Sequence, residues 1–317
     1  MTYAFDSELA PMLEFLPPVG MDDPVAARTA FSSMAAQMNA ELDTSGVTIT
    51  DRDIPGPAGA PDVPIRIYSP EGLDSVVPGL LFMHGGGFVL GNRDSEQGSC
   101  VLMCRALGIV IVSVDYRLSP ETAFPGPLDD CYAALEWVAA QAAELQIDAA
   151  RIGVFGQSAG GCLSAAVALL SRDRNGPPIC FQYLGIPVLD DRMNSHSMRH
   201  FVDTPLWDRD KSERSWAYYL GDQVPAGSDK VSAYAAPARA DDLTGLPPAY
   251  VSTMEFDPLR DEGIAYACRL LQAGVSTEIH SYPGTFHGSS VFAHAAICQR
   301  EAADTLAVLR RGLGVDQ

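Results

Sequence analysis

Basic residues are scarce in this chain of 317 residues: 21 Lys and Arg stand against 40 Asp and Glu, a formal charge of −19. So negative a surface repels phosphate backbones and anionic lipid heads, which excludes nucleic acid as a partner and disfavours polyanionic substrates. Long hydrophobic runs are also missing, and no segment reaches the roughly 20 apolar residues a bilayer-spanning helix needs, so no stable membrane insertion is expected. The first twenty residues hold Asp6, Glu8 and Glu14 but no Lys or Arg, the wrong sign for a secretory leader, so a cytoplasmic location is expected. The seven cysteines are odd in number and scattered through apolar or helical stretches, which predicts buried, reduced thiols. Cys100 and Cys104 share a helix face, yet no second cysteine pair or nearby histidine completes a zinc set, and no metal is expected.

Hydrophobic residues make up 47% of the chain and charged ones 19%, a balance that buries a large core. Asp23 followed by Pro24 opens a helix whose Ala27, Ala30, Phe31, Met34 and Met38 recur at helical spacing. Val47–Thr50 and Val63–Tyr68 alternate in polarity around a Pro/Gly-rich link and predict an antiparallel pair at a sheet edge, with Pro64 favouring the edge position. From Leu80 onward the pattern changes. Short continuous apolar runs (Leu80–Met83, Ile109–Val114, Ile152–Phe155, Cys180–Ile186, Ala249–Ser252, Thr277–Tyr282) alternate with helix-period stretches, and a final helix is expected over Val291–Arg311. That alternation predicts an α/β fold: a mostly parallel sheet with helices on both faces, whose ligands bind beyond the carboxyl ends of the strands. The expectation is one domain over 1–317, with a helical cap formed by about 1–45 and about 189–236, the latter too long and too aromatic for a simple crossover.

The chemistry gathers at those strand ends. Gly156-Gln157-Ser158-Ala159-Gly160 follows the run Arg151–Phe155 and predicts a sharp strand-to-helix turn that lifts the Ser158 hydroxyl above the sheet. A serine hydroxyl needs a base within hydrogen-bond reach and an acid to orient that base. Of six histidines, His84 belongs to a Gly-rich turn, His196 and His200 to the cap, His280 to the last strand and His294 to the last helix, which leaves His287 in the loop Pro283–Gly288. Asp257, kept out of helical conformation by Pro258, is the first choice of acid and Glu255 the second; Asp261 and Glu262 read as first-turn acids of the next helix. Gly85, Gly86 and Gly87 offer bare backbone N–H groups, and Ala159 another, to a developing oxyanion. Neither Gly-rich run has a nucleotide-binding spacing and no Walker-type lysine follows, so no nucleotide cofactor is expected.

His84-Gly85-Gly86-Gly87-Phe88, Asp115-Tyr116-Arg117-Leu118-Ser119-Pro120-Glu121 with Phe124-Pro125, Gly156-Gln157-Ser158-Ala159-Gly160-Gly161, Asp257-Pro258-Leu259-Arg260-Asp261-Glu262 and His287-Gly288 stand in this order. Together they resemble the bacterial hormone-sensitive-lipase-like (family IV) esterases of the α/β-hydrolase fold, from about Leu80 to the last helix. The resemblance implies Ser158 as nucleophile, His287 as base, Asp257 as orienting acid, and Gly86, Gly87 and Ala159 as oxyanion donors. His84, Gly85, Tyr116 and Arg117 are implied as supports, and pairing of two copies through the edge strand and last helix as a homodimer. The expected activity is hydrolysis of small-molecule carboxylic esters with short to medium acyl chains, without a cofactor. An amidase or peptidase would use the same three side chains, and a non-catalytic ligand-binding protein on this fold would tend to lose one of them. Two positions depart from the pattern. Gln157 replaces the usual Asp or Thr, and without a carboxylate to favour the imidazolium, activity is expected to extend to lower pH. Ser289-Ser290 replaces a large apolar residue, which alters the pocket on that side.

Overall fold

The computed structural model describes residues 3–16 and 20–315; the parts of the expected cap at 1–2 and 17–19 lie outside them. One eight-stranded sheet organises the chain: β1 (Val47–Ile54), β2 (Val63–Pro70), β3 (Val77–Met83), β4 (Val110–Val114), β5 (Ile147–Gln157), β6 (Phe181–Gly185), β7 (Ala249–Phe256) and β8 (Thr277–Phe286). Their spatial order is β1-β2-β4-β3-β5-β6-β7-β8. β1 pairs with β2 and β2 with β4 antiparallel, while all remaining pairs are parallel. The expected antiparallel pair is therefore present, but the edge strand is β1, whereas the proline sits in β2. Pro64 is accommodated near the start of β2, where its carbonyl accepts from Asp115 N at 2.9 Å.

Successive residues of the central strands point to opposite faces. Leu80, Phe82, Phe155 and Tyr183 pack with α2 (Gln97–Leu107) and the last helix, α8 (Ala296–Gly312). Leu81, Met83 and Val154 pack against α3 (Gly126–Ala140) and α4 (Ala159–Arg174), and Leu184 and Val251 against α4 and α7 (Arg260–Gln272). This two-sided burial explains the uninterrupted apolar runs.

Two further segments reach over the carboxyl ends of the strands. The first contains α1 (Pro24–Asn39), opened as expected by Asp23, whose carboxylate accepts from Val25 N and Ala26 N. The second lies between β6 and β7 and carries α5 (His196–His200) and α6 (Arg209–Leu220). Trp216, Tyr219 and Leu220 of α6 join the same core as α3 and α4. The last helix begins later than the spacing predicts: a single 3-10 turn, Ser289–Val291, comes first, and His294 precedes α8 instead of lying in it. A remote group sets that start, since Ala296 N donates to Glu8 Oε2 at 2.6 Å. Among the described residues no helix is long and apolar enough to cross a membrane. Cys100, Cys104, Cys131, Cys162 and Cys298 are buried free thiols, but Cys180 is half-buried and Cys268 exposed, so burial does not extend to every cysteine.

Candidate active site

β5 ends at Gln157 and α4 begins at Ala159, which leaves Ser158 alone to make the turn. Its backbone sits at φ 56°, ψ −120°, a region that side-chain-bearing residues rarely adopt. Three bonds hold it there: Ser158 N donates to Gly185 O at 2.8 Å, and its carbonyl accepts from Cys162 N at 3.1 Å and Val188 N at 3.2 Å. The flanking glycines are required by crowding. A Cβ on Gly156 would lie 2.1 Å from Gly160 O, and one on Gly160 2.0 Å from Met83 O, so β3, β5 and α4 could not approach as they do.

Three side chains from separate strand ends meet here. Ser158 Oγ lies 3.0 Å from His287 Nε2, and His287 Nδ1 lies 2.7 Å from Asp257 Oδ2. All three are buried. The Asp257 carboxylate also accepts from Leu259 N at 2.8 Å, which fixes its plane. An acid that must accept from Nδ1 implies that this nitrogen carries the proton and leaves Nε2 as the acceptor for the serine hydroxyl. The second-choice acid is engaged elsewhere, with Glu255 Oε2 accepting from Gly284 N at 2.7 Å. Asp261 and Glu262 do lie in the first turn of α7, yet they face the insertion: Asp261 accepts from Ser197 N, and Glu262 from Leu189 N and Asp190 N. Burial pushes the Glu262 carboxyl well above the usual range.

Opposite the serine, the loop after β3 turns through Gly86 at φ +115° and Gly87 at φ +60°. A Cβ on Gly86 would sit 2.2 Å from Leu90 O, and one on Gly87 2.7 Å from Trp207 Cη2. Among the described residues, no turn or loop bond uses the N–H of Gly85, Gly86 or Gly87. The supports implied by resemblance surround this loop. Tyr116 Oη donates to His84 O at 2.8 Å, and the Tyr116 and His84 rings stack at 4.1 Å. Burial pushes the His84 imidazole down to about 4, so it is neutral and its Nδ1–H donates to Gly85 O at 2.8 Å. Arg117 grips the buried Asp130 bidentately, at 2.7 and 2.8 Å, and so ties the loop after β4 to α3.

The insertion supplies what sequence reasoning did not assign. Trp207 lies with its ring centroid 5.6 Å from that of His287, anchored by Nε1–H donation to Ser212 Oγ at 2.9 Å. Leu206 Cδ1 would touch a Cβ placed on Gly288 at 3.3 Å. No local motif announced either residue; the only signal was the aromatic richness of the segment.

A buried Ser-His-Asp chain over the carboxyl end of a mostly parallel sheet defines a serine hydrolase of the α/β class. The family profile described as alpha/beta hydrolase fold matches residues 80–291, and the chain belongs to this family, in its hormone-sensitive-lipase-like branch. Carboxylesterase NlhH of Mycobacterium tuberculosis is 41% identical over 258 residues, covering 80% of this chain and 80% of that protein. An arylesterase of Saccharolobus solfataricus is 37% identical over 233 residues, covering 71% and 72%. Among solved structures, a bacterial heroin esterase superposes with a TM-score of 0.96 at 52% identity, covering 98% of each chain. The protein is a serine-dependent carboxylic ester hydrolase.

Proposed function

We propose that this esterase works through an acyl-enzyme formed on Ser158. His287 Nε2 takes the hydroxyl proton as Oγ attacks the ester carbonyl carbon, and the carbonyl π pair moves onto oxygen. Asp257 holds the imidazole in the reactive tautomer and stabilises the imidazolium. Collapse of the tetrahedral intermediate breaks the bond to the alcohol oxygen, which leaves with the proton returned by His287. Water, deprotonated by the same imidazole, then repeats the sequence and releases the acid. The N–H groups of Gly86, Gly87 and Ala159 receive the oxyanion, each contributing on the order of a hundredfold to a thousandfold in rate. His84, Gly85, Tyr116 and Arg117 brace that loop without touching the reacting atoms.

The observation that carries this reading is the continuous hydrogen-bonded chain from Ser158 Oγ through His287 to Asp257, at 3.0 and 2.7 Å. The segments over the strand ends act as a cap, and the Trp207 and Leu206 side chains close the site against large acyl groups. Short to medium acyl esters are the proposed substrates, turned over without a cofactor in the cytoplasm. The resemblance to esterases that pair supports a homodimer. A fluorophosphonate probe should label the wild type and fail to label Ser158→Ala. A p-nitrophenyl ester series, run with heroin and a matched amide alongside, should peak at short to medium acyl length; a long-chain optimum or preferred amide turnover would overturn the substrate reading.

A further inference from the structure

Each carbonyl in the loop from His84 to Val89 is held by an outside or local donor. Tyr116 Oη donates to His84 O, His84 Nδ1 to Gly85 O, and Leu90 N to Gly86 O, each at 2.8 Å. Ser119 N donates to Phe88 O at 2.9 Å. The two remaining bonds come from the segments above the sheet: Ser215 Oγ of α6 donates to Gly87 O at 2.8 Å, and Arg28 Nε of α1 to Val89 O at 2.7 Å. In each trans peptide the N–H points opposite to the carbonyl of the residue before it, so the bonds to Gly85 O and Gly86 O aim the N–H groups of Gly86 and Gly87, and the bonds to Gly87 O, Phe88 O and Val89 O hold the loop that follows.

Ser215 has a special place in this arrangement. It is fully buried, and it is the side-chain donor that acts on a residue proposed to bind the oxyanion. Gly87 has no side chain to hold its backbone, so ψ there is restrained by this bond to the peptide that follows, while the preceding peptide is held by Leu90 N on Gly86 O and Trp207 packs against the residue. The same helix stacks Tyr219 on Phe88 with ring centroids 3.8 Å apart, so α6 fixes two consecutive residues of the loop.

We propose that Ser215 is a positioning residue for the esterase reaction: by holding the peptide that follows Gly87, its hydroxyl restrains ψ of that residue, keeps its N–H in place on the loop, and thereby makes oxyanion stabilisation depend on the seating of α6. The proposal rests on the oxyanion role given to Gly87 above. It predicts a cost in the transition state that is absent from substrate binding.

The test compares the wild type, Ser215→Ala and Ser215→Thr for p-nitrophenyl butyrate hydrolysis and for inhibition by a trifluoromethyl ketone. In that adduct the serine oxygen bonds to the ketone carbon, its proton passes to His287, and the former carbonyl oxygen becomes an oxyanion. Ser215→Ala should lower kcat about tenfold, less than loss of a whole donor, with KM within about twofold. The ketone's Ki should rise by the same factor, and Ser215→Thr should recover most of both losses. Unchanged kcat, a loss carried by KM, or a fall in kcat with unaltered Ki would each overturn the assignment to Ser215. If the wild type is neither inhibited by the ketone nor labelled by fluorophosphonate, the acyl-enzyme reading fails as well, which separates the two failures.

Discussion

The rim of the sheet and the roof above it are built by different means. At the rim, position is dictated by backbone: Ser158 is wedged between glycines whose neighbours lie where a Cβ would go, and Asp257 and His287 follow directly on the ends of β7 and β8. At the roof, position is dictated by side chains, with Trp207 held by Ser212 and α6 keyed to the loop through Ser215. Chemistry that tolerates no displacement sits where backbone crowding and hydrogen bonds at the strand ends hold it. The proposed selectivity sits on groups that can be exchanged one at a time.

Gly87 is one of the points where the two regions touch, and its substitution has the largest expected effect. Gly87→Ala adds a methyl group 2.7 Å from Trp207 Cη2 at a φ of +60°, and kcat should fall by about a hundredfold to a thousandfold. Adding Trp207→Ala relieves the collision but not the backbone strain, so steady-state kinetics should show partial recovery; none at all would mean that the roof does not press on the loop. Trp207→Ala alone should cost about 3 kcal/mol of stability in urea unfolding and shift the acyl optimum to longer chains, with smaller effects on kcat. Were it instead to abolish turnover while stability held, the division between rim and roof would be wrong.

The rim also carries a pH dependence. His84 protonates at about 4 in the folded protein against 6.5 ordinarily, because it is buried. The unfolded chain therefore binds a proton that the folded chain refuses, and stability is lost as pH falls from about 6.5 toward 4, by up to about 3 kcal/mol. Calorimetry at pH 7, 5.5 and 4.5 should show this decline, and His84→Asn should flatten it. Smallest of all is the expected effect of Gln157→Asp: a carboxylate next to Ser158 favours the imidazolium, so the acidic limb of kcat/KM should move to higher pH. Coincident acidic limbs in the two enzymes would discard that idea.

The same contrast explains what could be read from sequence. The central strands are legible because burial on both faces forces continuous apolar runs, and the strand-end motifs are legible because their glycines answer to local crowding. β7 nonetheless runs on to Phe256, past the apolar stretch that ended at Ser252, because Met254 is buried and Phe256 packs edge-on against Phe5 at 5.3 Å, a contact from the far end of the chain. The start of α8 was misplaced for a similar reason, its first amide being met by Glu8. Ser215 carries no local signature, since a serine inside a polar helix resembles any solvent-facing residue until the partner carbonyl is known. The exposed Cys268 escaped for the opposite reason, as it lies on the outward side of an otherwise amphipathic helix.

The conformation of Ser158 has one more consequence. A residue at φ 56°, ψ −120° stays there only while the bonds from Gly185, Cys162 and Val188 hold. Their loosening releases the nucleophile long before β3 or β5 lets go. Turnover is then the most sensitive gauge of integrity this molecule offers: under mild heat or low denaturant it should fade while circular dichroism still reports an intact sheet.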